Sequence, residues 1–199
     1  MTFPIIPKPK SIDLPARNIE VDYEKEIIEI PNLISPKLAK ELKEFAQDEV
    51  SSGLHRRGSK NLFTSASFYT CLVFRYDNPI YETLEYVWER YGKTIYSDIK
   101  FIEPYEIKMY IEGDKFDSHH DSCGNLETMM YRKLNLIIQL SDESDYDGGE
   151  LSIGSYKLSK AMGTGIFFPA DSYHAVTTIT SGTRLSLIGH AWSPYTKRP

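Results

Sequence analysis

The chain has 199 residues and a formal net charge of −5, with 41% hydrophobic and 26% charged residues. These values are ordinary for a globular protein, and the length suits one well-packed domain, 1–199. No apolar run approaches the roughly 20 residues needed to span a bilayer, so we expect no membrane protein. The negative charge and the single short basic cluster at 55–60 disfavour a nucleic acid as substrate.

Cysteine usage predicts the cellular compartment. The chain contains only Cys71 and Cys123, far too few for a disulfide framework. Its first residues, MTFPIIPKPK, do not form a signal-peptide pattern. We therefore expect a reducing, cytoplasmic environment.

The N-terminal part predicts an arm followed by supporting elements. Prolines recur through 1–25, which indicates an extended arm laid over the surface. The alternation in EKEIIEI predicts a strand at Glu26–Ile30. Ser35 is a good N-cap and Pro36 suits a first helical turn, so a helix begins there and ends near Gly53. Region 26–98 is accordingly interpreted as helical and strand support.

A second helix and a β-rich region follow. The aromatic and β-branched run FYTCLVFRY predicts a strand. Asn78–Pro79 begins the next helix, and Gly92 is predicted to end it. From Ile99 to Pro194 short β-type runs alternate with Gly, Asp, Ser and Pro clusters, which indicates a barrel or sandwich. The predicted fold class is mainly β with supporting α-helices.

The segment DKFDSHHDSCGN suggests a metal site. His119 and Asp121 are two residues apart, so on an extended segment both side chains point the same way. One further ligand would complete a two-histidine, one-carboxylate triad that leaves iron with open positions. His120 should point away from this pair, and Cys123 is interpreted as a half-buried thiol, although a thiolate could bind zinc.

The later segment GTGIFFPADSYHAVTTITSGTRLSLIGHAW supplies further candidates. His174 is followed ten residues later by Arg184, whose planar guanidinium suits a carboxylate, and Ser186 lies on the same strand face. Two strands joined by a turn at 181–182 would bring these residues into one cavity. The parity of such a hairpin requires a bulge or odd loop near Gly182.

Three segments together resemble prolyl 4-hydroxylase-type members of the Fe(II)/2-oxoglutarate-dependent oxygenase superfamily. They are YIEGDKFDSHHD, DGGELSI and PADSYHAVTTITSGTRLSL, and the similarity covers roughly Ile99 to Pro194. The resemblance implies a double-stranded β-helix core, jelly-roll or cupin-like, over 99–194. It also implies Fe(II) bound by His119, Asp121 and His174.

The resemblance further implies the cosubstrates and their contacts. 2-Oxoglutarate would bind iron through its keto and adjacent carboxylate oxygens, and its far carboxylate would meet Arg184, with Ser186 beside it. Tyr110 matches a position whose phenol contacts the cosubstrate. Dioxygen would convert 2-oxoglutarate to succinate and carbon dioxide while a C–H bond is hydroxylated, with ascorbate as a reductant. Gly148 and Gly149 are interpreted as turn residues, not as a phosphate cradle.

The substrate expectation is a prolyl residue of a peptide or protein, with 55–67 as a lid over it. The chain departs from the family pattern at Asn135, Ile138 and Thr178, which affects the surroundings of the cosubstrate more than the iron site. Two alternatives stay open: hydroxylation of a free amino acid or other small molecule, and a non-catalytic metal-binding jelly-roll module. The sequence does not predict an oligomeric state.

Overall fold

The computed structural model describes residues 27–53, 56–57, 66–73, 79–125 and 130–194. The predicted arm 1–25 and most of the predicted lid 55–67 lie outside the described residues. The helices are α1 (Pro36–Ser51), α2 (Pro79–Val87) and α3 (Lys93–Ile95), with a π-helical turn (Trp88–Gly92) before α3 and a 3-10 turn (Glu143–Asp145). Within the described part of the chain, no helix is both long and apolar enough to cross a membrane.

The strands make up most of the fold. They are β1 (Ile28–Ile30), β2 (Arg56–Arg57), β3 (Ala66–Ser67), β4 (Tyr69–Val73), β5 (Phe101–Ile102), β6 (Tyr105–Ile111), β7 (Lys115–His119), β8 (Gly124–Asn125), β9 (Met130–Gln139), β10 (Tyr146–Gly148), β11 (Leu151–Ile153), β12 (Tyr156–Lys157), β13 (Gly165–Pro169), β14 (His174–Val176) and β15 (Ile179–Pro194).

Two antiparallel sheets form the core. The major sheet has the order β1-β13-β9-β15-β6-β4-β2, with β5 and β10 pairing with β15 and β8 pairing with β9. The minor sheet has the order β12-β11-β14-β7-β3. Most neighbouring strands are not consecutive in the chain, as in a jelly roll. The predicted fold class, mainly β with supporting helices around a jelly-roll core, is confirmed.

Helix α1 forms where its cap and apolar stripe predict. Pro36 occupies the first turn, and the Ser35 hydroxyl accepts a hydrogen bond from the Leu38 amide at 3.2 Å. Leu42 and Ala46 continue the buried stripe. This stripe packs with the outer face of the major sheet in one hydrophobic cluster, so the helices cover the sheet's side away from the minor sheet.

The second helix does not end at Gly92, and that prediction is wrong. Gly92 has helical dihedrals, and the chain continues through the π-helical turn into α3. The reason is packing, because a Cβ at Gly92 would lie 2.5 Å from the Trp88 ring. The missing side chain leaves room for a buried indole and does not serve as a stop signal.

The predicted hairpin between His174 and Arg184 is also wrong. β14 pairs with β7 and β11 in the minor sheet, whereas β15 begins at Ile179 and runs through Gly182 into the major sheet. The expected irregularity exists, but it is a register shift in the pairing of β10 with β15. Gly182 has φ +77° there, and a Cβ would lie 2.1 Å from the Asp145 carbonyl oxygen.

Candidate metal centre and cosubstrate cavity

Three predicted ligands converge between the two sheets. The Nε2 atom of His119 lies 3.7 Å from Asp121 Oδ1, and that of His174 lies 3.3 Å from Asp121 Oδ2. The ligand atoms of all three residues lie within 4.8 Å of one another. Strand pairing explains the geometry, because His119 on β7 and His174 on β14 are register partners. The structure therefore brings together the predicted triad.

Backbone hydrogen bonds orient both imidazoles. Nδ1 of His119 donates to the Asp117 carbonyl at 2.8 Å, and Nδ1 of His174 donates to the Ser172 carbonyl at 3.1 Å. With the proton on Nδ1, each Nε2 can direct its lone pair at a cation. The Phe116 ring stacks on His119 with centroids 3.6 Å apart and fixes the ring plane.

The protonation states suit a cation. Burial, together with the neighbouring His174, lowers the pKa of His119 to about 4. Burial raises the pKa of Asp121, but the adjacent His174 imidazole outweighs it and holds that pKa well below its usual range. At neutral pH His119 is neutral and Asp121 is ionised. His119 Nε2 is buried and has no hydrogen-bond partner among the described residues, as expected of a metal-ligand atom.

A polar pair supports the carboxylate. Sequence reasoning missed His190, and it expected Asn135 to affect the cosubstrate more than the iron site, whereas Asn135 contacts a metal ligand. Asn135 Nδ2 donates to Asp121 Oδ2 at 2.8 Å, and Asn135 Oδ1 accepts from His190 Nδ1 at 2.8 Å. Asn135 is fully buried and His190 is nearly so. Burial lowers the pKa of His190 to about 3, with the charge of Arg132 adding to this, so the imidazole is neutral. Through Asn135, this pair connects the major sheet to Asp121.

Ile138, the second departure from the family pattern, was expected to affect the surroundings of the cosubstrate, but it does not line the cavity. Ile138 belongs to the hydrophobic cluster under the helices, whereas Ile137 lines the cavity with Asn135. Side chains alternate along a strand, so 135, 137 and 139 share the interior face. Thr178 is exposed and only its carbonyl is engaged, by the amide of Gly149 at 3.2 Å.

Arg184 lies in the same cavity, nearly fully buried. Its Nη2 donates to Gln139 Oε1 at 3.0 Å and its Nη1 donates to Ser186 Oγ at 3.3 Å. Its Nε is buried without a partner, and no carboxylate among the described residues pairs with the guanidinium. Gln139 Nε2 in turn donates to the Ser159 carbonyl at 3.0 Å, which fixes the amide.

Tyr110 and Ser186 lie in the same cavity as Arg184. Both line the cavity, and the Arg184 guanidinium lies 5.4 Å from the centre of the Tyr110 ring. Burial raises the pKa of Tyr110 far above its ordinary value, although the charge of Arg184 opposes this, so the phenol keeps its proton. The space between the lining side chains, together with the open solvent at its mouth, amounts to about 360 Å³.

The remaining predictions around the site have mixed outcomes. His120 is exposed, packs edge-on against Tyr173, and points away from the triad, as predicted. Gly148 and Gly149 have φ values of +72° and +61°, which confirms their interpretation as turn residues. Cys123 is exposed, not half-buried, and does not belong to the metal-ligating cluster.

Comparison with known proteins agrees with this geometry. Residues 105–192 match the model of the 2OG-Fe(II) oxygenase superfamily. Over this region the chain is similar to 2OG-Fe(II) oxygenases. A PKHD-type hydroxylase from Rhizorhabdus wittichii is 34% identical over 85 residues, 39% of this chain and 37% of the relative. A PKHD-type hydroxylase from Psychrobacter sp. is 31% identical over 97 residues, 45% of this chain and 38% of the relative. The chain thus covers less than half the length of these curated relatives.

Solved structures share the fold of this chain. A prolyl-4-hydroxylase from Pseudomonas putida superposes with a TM-score of 0.70 at 12% identity, covering 86% of this chain and 94% of that one. A viral collagen prolyl hydroxylase from Paramecium Bursaria Chlorella virus-1, solved as a 2OG complex, gives a TM-score of 0.67 at 16% identity. That match covers 85% of this chain and 97% of the viral one.

Proposed function

We propose that the protein is an Fe(II)- and 2-oxoglutarate-dependent dioxygenase that hydroxylates an unactivated C–H bond. The preferred substrate is a prolyl residue of a peptide or protein. One observation carries the proposal: a histidine–aspartate–histidine cluster shares its cavity with a buried Arg184 that has no carboxylate partner among the described residues. A structural metal site has no use for such a cation.

The three ligands would hold Fe(II), which when bound supplies open positions for the keto acid and dioxygen. Asn135 restricts the orientation of Asp121, and the backbone carbonyls of residues 117 and 172 restrict the two imidazoles. The overall reaction consumes the C–H substrate, dioxygen and 2-oxoglutarate, and yields the alcohol, succinate and carbon dioxide.

Arg184 would bind the far carboxylate of 2-oxoglutarate. Gln139 and Ser186 each occupy one side of its guanidinium, so the partnerless Nε and the remaining N–H groups are available to an anion. The protonated Tyr110 phenol lies beside this pair and could donate to the same ligand. Without the cosubstrate a cation is buried without a counterion, which favours carboxylate binding.

The prolyl substrate is supported by the relatives. Structural neighbours include a prolyl hydroxylase from Trichoplax adhaerens in complex with a hypoxia inducible factor peptide fragment, at a TM-score of 0.65 and 13% identity. The family resemblance supports ascorbate as a reductant, and the two cysteines in 199 residues support a cytoplasmic location. Two alternatives stay open. The substrate of the enzyme is a free amino acid or other small molecule, or the metal site has a non-catalytic role.

A spectroscopic titration tests the metal and cosubstrate sites. Anaerobic Fe(II) plus 2-oxoglutarate should produce a weak visible charge-transfer band that His174→Ala abolishes and that Arg184→Ala shifts to higher 2-oxoglutarate concentrations. Folded wild-type protein that gives no band would favour the non-catalytic module. Succinate formation over proline-rich peptides and free amino acids, with mass spectrometry locating the added oxygen, then tests the substrate class.

A further inference from the structure

A second cationic side chain lines the cavity and has no role in the proposed binding of Fe(II) or 2-oxoglutarate. Lys108 lies on the interior face of β6, two residues before Tyr110. Strand pairing sets Tyr110 against Arg184 and Lys108 against Ser186. Two residues along a strand correspond to roughly 7 Å, so the two cations occupy separate places along the cavity wall.

The Lys108 ammonium is held by aromatic rings instead of a carboxylate. Its Nζ lies 5.0 Å from the centre of the Phe68 ring and 5.1 Å from that of Phe116, the ring that stacks on His119. No carboxylate of the described residues forms an ion pair with it. Its charge also lowers the pKa of both His119 and Asp121, which places it within electrostatic range of the metal ligands.

The charges of the cavity leave Lys108 without compensation. Fe(II), Arg184 and Lys108 together would bring four positive charges, and Asp121 is the only carboxylate among the described lining residues. Asp121 and the 2-oxoglutarate dianion supply three negative charges, and Arg184 accounts for the far carboxylate. One positive charge stays in excess, beside the ligands and away from Arg184. A half-buried lysine in such a place favours an anionic ligand.

We propose that Lys108 binds a carboxylate of the substrate, so that the carbon to be hydroxylated belongs to a molecule with an anionic group close by. This deepens the proposed function and rests on it. Two sources share the chemistry: the α-carboxylate of a free or C-terminal proline, and the side chain of an acidic residue next to a prolyl residue. The cation–π contacts orient the ammonium for either one.

Paired probes separate these sources. Succinate formation is measured with L-proline against L-prolinamide, with a proline-terminated peptide against its C-terminal amide, and with an internal Pro-Glu peptide against its Pro-Gln counterpart. We expect the carboxylate member of at least one pair to be preferred on the order of tenfold or more, as for hydrogen bonds to charged groups. Equal use of both members in every pair, or use of neither, overturns the proposal.

Variants assign the preference to this side chain. Lys108→Met retains the aliphatic packing and should raise KM for the preferred probe at least tenfold, with little change in KM for 2-oxoglutarate; Lys108→Arg should restore most of the preference. Lys157→Met, which removes an exposed lysine on β12, is the matched control and should change neither constant. If Lys108→Met raises only KM for 2-oxoglutarate, the lysine binds the cosubstrate and the proposal is wrong.

The failure of this proposal is distinguishable from failure of the proposed function. If wild-type protein gives no charge-transfer band, the dioxygenase assignment itself fails. If it gives the band but shows no difference between paired probes by succinate formation or by equilibrium binding, only the role of Lys108 fails. Thermal unfolding of each variant shows whether that variant is folded, so that a loss of substrate preference is not caused by unfolding.

Discussion

Replacing Asn135 with leucine should weaken Fe(II) binding without disrupting the fold. Leucine retains the approximate volume but removes the hydrogen bond to Asp121 Oδ2 and leaves His190 Nδ1 without its acceptor. A hydrogen bond to a charged group contributes about 1.5–3 kcal/mol. Mutation of a group that orients a metal ligand typically lowers metal affinity roughly 10- to 100-fold. We expect the Fe(II) dissociation constant to rise within that range.

The assay is an anaerobic calorimetric titration with Fe(II), accompanied by thermal unfolding of the metal-free protein. Gln139→Leu is the matched control, because Gln139 lies on the same face of β9 and is equally buried but contacts Arg184. That variant should raise KM for 2-oxoglutarate and leave Fe(II) affinity unchanged. Folded Asn135→Leu protein with wild-type Fe(II) affinity would refute the positioning role of Asn135.

Two further predictions concern stability. The pKa of His190 is lowered to about 3 in the fold, so the unfolded chain binds more protons between about pH 6.5 and that value, and metal-free protein should lose stability as pH falls through this range. His190→Gln should flatten this part of a pH series of melting temperatures measured with a chelator; an unchanged slope would contradict it. Gly182→Ala should destabilise by about 2–4 kcal/mol in urea unfolding, because it combines a positive φ with a clash against the Asp145 carbonyl. Gly154→Ala, at φ +55° in open space, should lose only about 1–2 kcal/mol, and equal losses would exclude the clash as a cause.

The sequence predicted the parts of the site that depend on short spacing. His119 and Asp121 share a face because they are two residues apart, and Arg184 and Ser186 do so for the same reason. His174 and Arg184 line one cavity, as the sequence predicted, but the hairpin that was predicted to bring them together does not exist. A hairpin is the shortest connection between two strands, but this chain crosses from one sheet to the other.

The support that long-range strand pairing gives to Asp121 was missed. Asn135 and His190 are 55 positions apart, and only the pairing of β9 with β15 makes them neighbours. A signal was nevertheless present. The runs LNLIIQL and LIGHAW each place polar residues inside apolar strands, and buried polar side chains usually have a specific partner. The partner itself depends on strand register, which local sequence does not determine.

The register pairing of His119 with His174 has a consequence for folding. Two neighbouring strands of the minor sheet, β7 and β14, contribute one imidazole each, and the carboxylate between them is anchored to the major sheet through Asn135. No short segment of the chain holds all three donors, so the complete chelate arises only after distant strands have come together. A divalent ion should therefore stabilise the folded chain relative to its unfolded forms. The availability of that ion during synthesis should then affect how much of the new chain folds.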